Sequence, residues 1–388
     1  MQHSRDPDTI DQPAKIAIFA ARRIHRHYAN KLISYLKHAG AKDVSILWYK
    51  NLWHSQKWIV YLLTISRAPL LQAAMDYVRT KQSSPASIGT GGKRFYLLLP
   101  LKWLEAKVLY SIYFYNLKIR KISHLVIWNG LKFRQRIAVA AARDLGIPSL
   151  FIERGLFPGT TTLDPQGINY LNSVPRDKNF YAASTSNFEP ASCTEERPDA
   201  LPKSYIFVPF QVNTDSQIVL FSPWLKNMFE LVQRFSEAED SLGDNMPHIV
   251  FKPHPECDQD YSALINKVNG SGGHLHIETD IPTPVLIGHS DAVCTINSSV
   301  GMEAILMNKK LITLGKAFYD IPDLTLHATN QTELEKALST VDSWQPDEGL
   351  RNSFLAHIRD EHIVPGSWQN PDDHHLDSMA TRILSFVR

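Results

Sequence analysis

The chain is expected to fold as two α/β domains, each a mostly parallel sheet wrapped by helices, with a cleft between them. Three observations predict this. Short apolar, β-branched runs alternate with amphipathic stretches of helical length along most of the sequence. A Ser-, Thr-, Glu- and Pro-rich segment at 183–203 has no periodicity and interrupts that alternation midway, as an interdomain linker does. Charge also divides near the middle: residues 1–150 hold 24 Lys and Arg against 7 Asp and Glu, and residues 151–388 hold 17 against 32. With 388 residues, 44% of them hydrophobic, the chain has apolar material for two cores.

Residues 1–14 read as a polar tail, and Lys15–Ala20 (KIAIFA) as the first strand. Arg22–Gly40 follows as a helix, with Ile24, Tyr28, Leu32 and Leu36 at helical spacing. Val44–Tyr49 is a second strand, 55–80 carry a long helical pattern, and Gln82–Gly92 is a Gly/Ser-rich loop. Trp103–Lys121 is an amphipathic helix. The strand His124–Trp128 ends in the turn Asn129-Gly130, Phe133–Leu145 is a helix stopped by Gly146 and Pro148, and Ser149–Ile152 is a strand. These elements define an N-terminal Rossmann-like domain over 15–182. A second domain over 204–345 begins with the apolar run Tyr205–Val208. It continues through a helix from about Pro223 to Ala238, strand His248–Phe251, helix 259–268, strand His274–Ile277, helix Pro282–His289, strand Ala292–Ile296, helix Ser299–Met307 and strand Lys310–Thr313. Residues 331–343 and 372–388 read as helical, and the segment 346–388 is expected to pack back on the N-terminal domain. Two α/β halves joined by a linker resemble the GT-B architecture of glycosyltransferases, in which a nucleotide sugar sits in the interdomain cleft.

Composition narrows the function classes. The cysteines Cys193, Cys257 and Cys294 lack metal-ligand spacing and cannot build a disulfide framework, so a reducing cytoplasm is expected. No apolar run reaches the roughly 18 residues of a membrane span, and the first residues lack an apolar signal core. There is no Gly-x-Gly-x-x-Gly, no Walker loop and no Gly-x-Ser-x-Gly. Asp258-Gln259-Asp260 sits between a Pro-rich loop and a helix, and His374-His375 lacks partners at a useful spacing, so no metal and no cofactor are expected. The basic half carries no recognised nucleic-acid motif. Its charge, with Trp48, Tyr49, Trp53, Trp58 and Tyr61 close together, suits an anionic membrane surface, although such aromatics equally suit a core.

Polar groups crowded past the carboxyl ends of strands are where open α/β sheets place their chemistry. The run after Tyr205–Val208 carries Gln211, Asn213, Asp215, Ser216 and Gln217. Glu153 follows the strand SLFI directly, before Arg154 and Gly155, where a carboxylate acts as a base. Downstream, Asp164, Gly167, Asn169 and Ser173 continue a polar loop read as having no secondary structure. Lys252-Pro253-His254-Pro255-Glu256 follows the strand HIVF. The prolines fix where the His254 ring points, and Lys252 offers a charge for the same anion. At Asn297-Ser298-Ser299, Ser298 is placed to cap a helix whose first-turn N–H groups bind phosphate or carboxylate, with Glu303 one turn in, near a ribose hydroxyl. Gly315–Asp320 offers Phe318 and Tyr319 for stacking on a base. Taken singly, each loop has a plainer reading as a capped or solvated turn.

Together they resemble a known family. Glu153-x-Gly155, Gln211-x-x-x-Asp215-Ser216-Gln217, His254-Pro255, Thr295-Ile296-Asn297-Ser298-Ser299-x-Gly301-x-x-Ala304 and Gly315-x-Ala317-x-Tyr319-Asp320 occur in the order seen in bacterial capsule polysaccharide biosynthesis proteins, the KpsS/KpsC-like retaining β-Kdo glycosyltransferases. The resemblance runs from about Asn129 to Thr325. It implies a GT-B fold, a CMP-Kdo donor, retention of the β anomer, and a lipid-linked glycan acceptor met at the inner face of the membrane. It implies catalytic roles for Asp215 (nucleophile), Glu153 (acid/base) and His254 (phosphate stabilisation). It implies donor binding by Gln211, Ser216, Gln217, Lys252, Pro255, Asn297, Ser298, Ser299, Gly301 and Glu303, and acceptor-side roles for Arg154, Gly155 and Asn169. Where the family pattern has Arg-Pro after its Glu-x-Gly, this chain has Phe157-Pro158. The alternatives are a GT-B transferase for another nucleotide sugar and a non-catalytic subunit of a polysaccharide assembly or export complex.

Overall fold

The computed structural model describes residues 14–53, 55–63, 67–83, 93–182 and 187–387. Nearly all of the tail over 1–14, most of the Gln82–Gly92 loop and the start of the 183–203 linker lie outside the described residues. The first sheet contains β1 (Lys15–Ala20), β2 (Asp43–Trp48), β3 (His124–Trp128), β4 (Ser149–Arg154) and β5 (Thr161–Asp164). The second contains β6 (Ile206–Pro209), β7 (Ile249–Lys252), β8 (Leu275–Ile277), β9 (Ala292–Thr295), β10 (Lys310–Thr313) and β11 (Leu326–His327). β12 (Ile363–Val364) returns to the first sheet, giving the orders β12-β5-β4-β3-β1-β2 and β11-β10-β9-β6-β7-β8. The second sheet is parallel throughout. The first is parallel from β2 to β4 and antiparallel at β4/β5 and β5/β12. Helices cover both faces, so β1, β6 and β9 are buried almost end to end and read as unbroken apolar runs.

β5 falls where the sequence reads as a structureless polar loop. Its polar side chains are satisfied by a segment two hundred residues away. Thr161 Oγ1 donates to Gly366 O (2.9 Å) and accepts from the Trp368 N–H (2.9 Å), and Thr162 Oγ1 donates to His362 O (2.6 Å). Asp164, 1% exposed, ties down the following turn. It accepts from the N–H groups of Gln166 (2.8 Å), Gly167 (3.0 Å) and Ser173 (2.9 Å) and from Ser173 Oγ (2.7 Å). The helical pattern over 55–80 resolves into a 3-10 turn, Gln56–Leu63, and a helix, Arg67–Gln82. The next helix spans Lys93–Ile119, with Pro100 inside it, and so starts ten residues before Trp103.

The chain passes between the sheets twice. After the linker and the second sheet it leaves through helix Glu348–His357, which buries Phe354 and Leu355 beside Tyr181 and Phe318. It then pairs β12 with β5 and ends in helix Asp373–Val387, whose Leu376, Met379 and Ile383 pack against Ile16, Leu32 and Leu36. Each such side chain contributes about 1.5–3 kcal/mol on burial. His375 Nδ1 lies 2.7 Å from Pro365 O and must donate to it, so Nε2 accepts from the Tyr28 hydroxyl at 2.8 Å. That pair latches the last helix to the first helix, Arg23–His38.

Burial alone would raise the Asp164 carboxyl. Hydrogen bonding from His362, Ser173 and Gln166 outweighs it and holds the group below the usual carboxylate range. Its folded pKa is therefore depressed, so its contribution is fully present above the unfolded value of roughly 3.9 and is lost as pH falls through the lower folded value. Asp164→Ala should cost roughly 3 kcal/mol or more in denaturant unfolding at pH 7, because several donors lose their acceptor together. It should also flatten the acid limb of stability below about pH 4. A cost under about 1 kcal/mol would contradict the role given to this carboxylate.

Candidate functional site

Strand order reverses at β1/β3 in one sheet and at β6/β9 in the other. Ligands of open α/β sheets bind outside the carboxyl ends of strands at such switch points. The loops leaving these ends from both sheets line one cleft of about 1080 Å³.

The second-domain wall is organised by two amides. Gln211, buried at the end of β6, accepts the Asn297 N–H on Oε1 (3.1 Å) and donates from Nε2 to Asn297 Oδ1 (3.0 Å). Asn297 in turn donates to Gln217 O (3.1 Å) and its carbonyl accepts from Gln217 Nε2 (3.3 Å). The loops after β6 and β9 are thereby stitched together. Asp215 is the exposed N-cap of the short helix Ser216–Phe221, with Oδ1 accepting from the Gln217 N–H (3.0 Å) and from Ser216 Oγ (3.3 Å). Oδ2 takes neither of these bonds, and Asp215 lines the cleft. His254 comes from the neighbouring strand, placed by the register Pro209↔Lys252. Its Nδ1 accepts from the Glu256 N–H (3.1 Å), so in the neutral ring the proton sits on Nε2. Ser298 and Ser299 line the cleft beside it.

The first-domain wall is built from Glu153, Arg154, Gly155 and Asn169. Glu153 is clamped: Oε2 accepts from Asn129 Nδ2 (2.8 Å) and Oε1 from the Arg154 N–H (3.0 Å). Asn129 adopts φ +65°, which turns its side chain toward Glu153 while Oδ1 accepts from the N–H groups of Leu131 (3.0 Å) and Lys132 (3.2 Å). Gly155 is required by the β4–β5 turn, because a Cβ there would lie 1.8 Å from Thr160 Oγ1.

Asp215, Glu153, His254, Gln211, Ser216, Gln217, Asn297, Ser298, Ser299, Arg154, Gly155 and Asn169 thus line one cleft. Four expected donor-side residues do not line it. Lys252 Nζ donates to Thr279 O (2.7 Å), because its side chain follows the β7–β8 side of the sheet. Pro255 is exposed and outside the lining. Gly301 is buried against the Tyr319 ring, 2.5 Å from where a Cβ would stand, so it serves packing. Glu303 is half-buried away from the cleft, and burial pushes its carboxyl up. The loop residues Asp164, Gly167 and Ser173 belong to the turn described above, outside the lining. Phe318 and Tyr319 line the cleft but are only 5% and 1% exposed. The Tyr319 hydroxyl is spent on Ser298 O (2.6 Å), so neither ring is free to stack on a base. The helix at Val300–Leu306 also differs from expectation. Ser298 Oγ accepts from the Val300 N–H, and the N–H groups of Gly301, Met302 and Glu303 bond within the turn, which leaves serine hydroxyls as the donors. Sequence reading passed over Arg22, His25, Trp128, Lys132 and Trp368, which also line the cleft. The signal available was a basic residue at each strand–helix junction. Among the described residues, no group of three or more His, Cys, Asp or Glu is arranged to hold a metal ion.

Two α/β sheets that open their switch points onto one shared cleft define a GT-B-like protein. Residues 195–344 match the model of the capsule polysaccharide biosynthesis protein family. The chain is 34% identical over 272 residues to Protein FixF of Sinorhizobium fredii (strain NBRC 101917 / NGR234), covering 67% of this chain and 64% of that one. It is 32% identical over 130 residues to the capsule polysaccharide export protein KpsS of Escherichia coli, covering 32% of this chain and 33% of that one. The chain therefore spans less than two thirds of the first relative's length and about a third of the second's. Among solved structures it is similar to the Thermosulfurimonas dismutans KpsC beta Kdo 2,7 transferase, with TM-score 0.43 and 18% identity over 70% of this chain and 89% of that one.

Gln211→Ala should destabilise the second domain by roughly 2 kcal/mol, because it leaves the N–H and Oδ1 of the buried Asn297 without their partners. Calorimetric unfolding reads the loss. Unchanged stability would mean that the amide pair does not hold the two loops.

Proposed function

We propose that the protein is a retaining glycosyltransferase that moves β-Kdo from CMP-Kdo to a lipid-linked glycan acceptor in the biosynthesis of a bacterial surface polysaccharide (capsule, O-antigen or lipopolysaccharide). The observation that carries this reading is the convergence of Asp215, His254, Ser298 and Ser299 from one domain and Glu153 from the other on a single cleft. The match of residues 195–344 to the model of the capsule polysaccharide biosynthesis protein family supports it.

The reaction runs as a double displacement. Asp215 Oδ2 attacks the anomeric carbon, the bond to the phosphate oxygen breaks, and CMP departs with that electron pair. His254 Nε2–H donates to the departing phosphate, and the hydroxyls of Ser298 and Ser299 hold phosphate or the Kdo carboxylate. Glu153, held ready by Asn129, then takes the proton of the acceptor hydroxyl, which displaces Asp215 and restores the original anomer. Two carboxylates with separate hydrogen-bonding environments take separate roles.

The acceptor's lipid gives a reason for the basic first domain. No helix among the described residues is long and apolar enough to cross a membrane. Yet Leu97, Leu101 and Leu104 on helix Lys93–Ile119 are 74%, 65% and 58% exposed, and Val60 on the neighbouring 3-10 turn is 67% exposed. Residues 50–121 hold twelve Lys and Arg against two Asp and Glu. Exposed apolar side chains on a segment rich in cations fit an anionic bilayer surface, with the cleft held near it.

Incubation with CMP-Kdo and a lipid-linked or synthetic acceptor should release CMP and incorporate Kdo. Asp215→Asn should lower that turnover by roughly 10³-fold or more. It should leave the melting temperature in place, since Asn caps a helix as well as Asp does. Near-normal turnover by the variant would remove the nucleophile assignment, and a thermal shift with UDP or GDP exceeding that with CMP would move the reading to another nucleotide sugar. Flotation with vesicles rich in anionic lipid should carry the protein upward, and Leu101→Glu with Leu104→Glu should cut the bound fraction about tenfold. Equal flotation on neutral vesicles would count against the membrane surface.

A further inference from the structure

Two helices begin at the cleft from adjacent strand ends, Arg23–His38 just after β1 and Phe133–Asp144 just after β3. Their N-cap residues are Arg22 and Lys132. Neither side chain caps its helix, and neither first turn contains an acidic residue. A cation at a helix N-terminus opposes the helix dipole, and Ser, Asp or Asn is the stabilising choice there. Both residues line the cleft, and neither forms an ion pair among the described residues.

Between them stands His25, third residue of the first helix and 5% exposed, also on the cleft wall. Its ring stacks on Trp128 with centroids 4.6 Å apart and meets the edge of Trp368 at 5.8 Å. Its Nδ1 is buried and has no hydrogen-bond partner. Burial, then the charges of Arg22 and Lys132, push its pKa down to about 4, so the ring is a neutral group between two cations at pH 7. Buried polar atoms are almost always paired, and an orphan calls for an explanation. An oxyanion supplies one when the proton of the neutral ring sits on Nδ1. It would meet the Arg22 fork, the Lys132 charge, open first-turn N–H groups and a ring N–H.

We propose that Arg22, Lys132 and His25 form an anion-binding subsite on the first-domain wall, and that it selects an acceptor bearing a carboxylate or phosphate group. This deepens the transferase reading and rests on it only in calling the ligand an acceptor. An anion seated there explains why the chain keeps basic residues at two positions where they weaken their own helices. The subsite lies on the wall opposite Asp215 and Ser298, so donor and acceptor charges are held apart.

The test is binding to the full chain without any donor, read by ligand-observed NMR titration. The probes are methyl β-glucuronide, its methyl ester and glycerol 3-phosphate. At least one anion should bind, with the ester at least tenfold weaker, and the preferred anion tells whether an acidic sugar or a phosphate headgroup is read. Arg22→Ser and Lys132→Ser should each weaken that anion at least tenfold. They should also hold or raise the melting temperature in anion-free buffer, since serine is the better cap. A merely structural role for these cations predicts the reverse, a lower melting temperature. Should a serine variant fail to fold, Arg22→Gln and Lys132→Gln give the same affinity comparison. Binding of neither anion, equal binding of the ester, or wild-type affinity in the variants would overturn the proposal. Because no nucleotide sugar is present, failure of turnover with every donor would count against the transferase reading alone.

Discussion

A buried pairing of amides, Gln211 against Asn297, is the interaction on which the second-domain wall depends. β6 and β9 are neighbours across the switch point, and their loops diverge unless something joins them. Gln211 joins them through both its amide atoms, and Gln217 adds a second pair of bonds to the same asparagine. The position of Asp215, four residues along from Gln211 and capping its own short helix, follows from that anchor. Ser298 follows from it as well, with Tyr319 closing the turn from below. Side-chain amides suit this work because each carries both donor and acceptor and stays uncharged when water is excluded.

The first-domain wall is held by a different device. Asn129, in a left-handed conformation at the end of β3, grips Glu153 at the end of β4. The two walls belong to one cleft because the chain crosses between domains twice, the second time by adding β12 to β5 and latching the last helix on Tyr28. Asp164 sits at the root of that second crossing, beside His362. Stability and site geometry are therefore coupled through a segment far from any reacting group.

Strands such as β1, β6 and β9 were legible in the sequence because burial on both faces demands an unbroken apolar run. β5 was not, because Thr161 and Thr162 find their partners in 362–368, a pairing that no local pattern encodes. The early start of helix Lys93–Ile119 was hidden by Pro100, which a local reading treats as a stop and which the exposed face tolerates. In the site, the loops were legible from their position after apolar runs, while the direction of each side chain was not. Lys252 turns to a carbonyl of the next loop, and Gly301 answers to a tyrosine ring. In the sequence Arg22 and Lys132 were only part of a basic half, and the fold places them at two helix starts beside an unpartnered histidine.

The proposed double displacement requires Asp215 to bond covalently to the sugar during transfer. Glutamine in place of Glu153 should slow the second displacement and let the intermediate accumulate. Intact-mass spectrometry of that variant with CMP-Kdo, followed by peptide mapping, measures it directly. One added Kdo residue located on the peptide containing Asp215 is the predicted result. An adduct on another side chain, or turnover with no adduct at any time point, would contradict it.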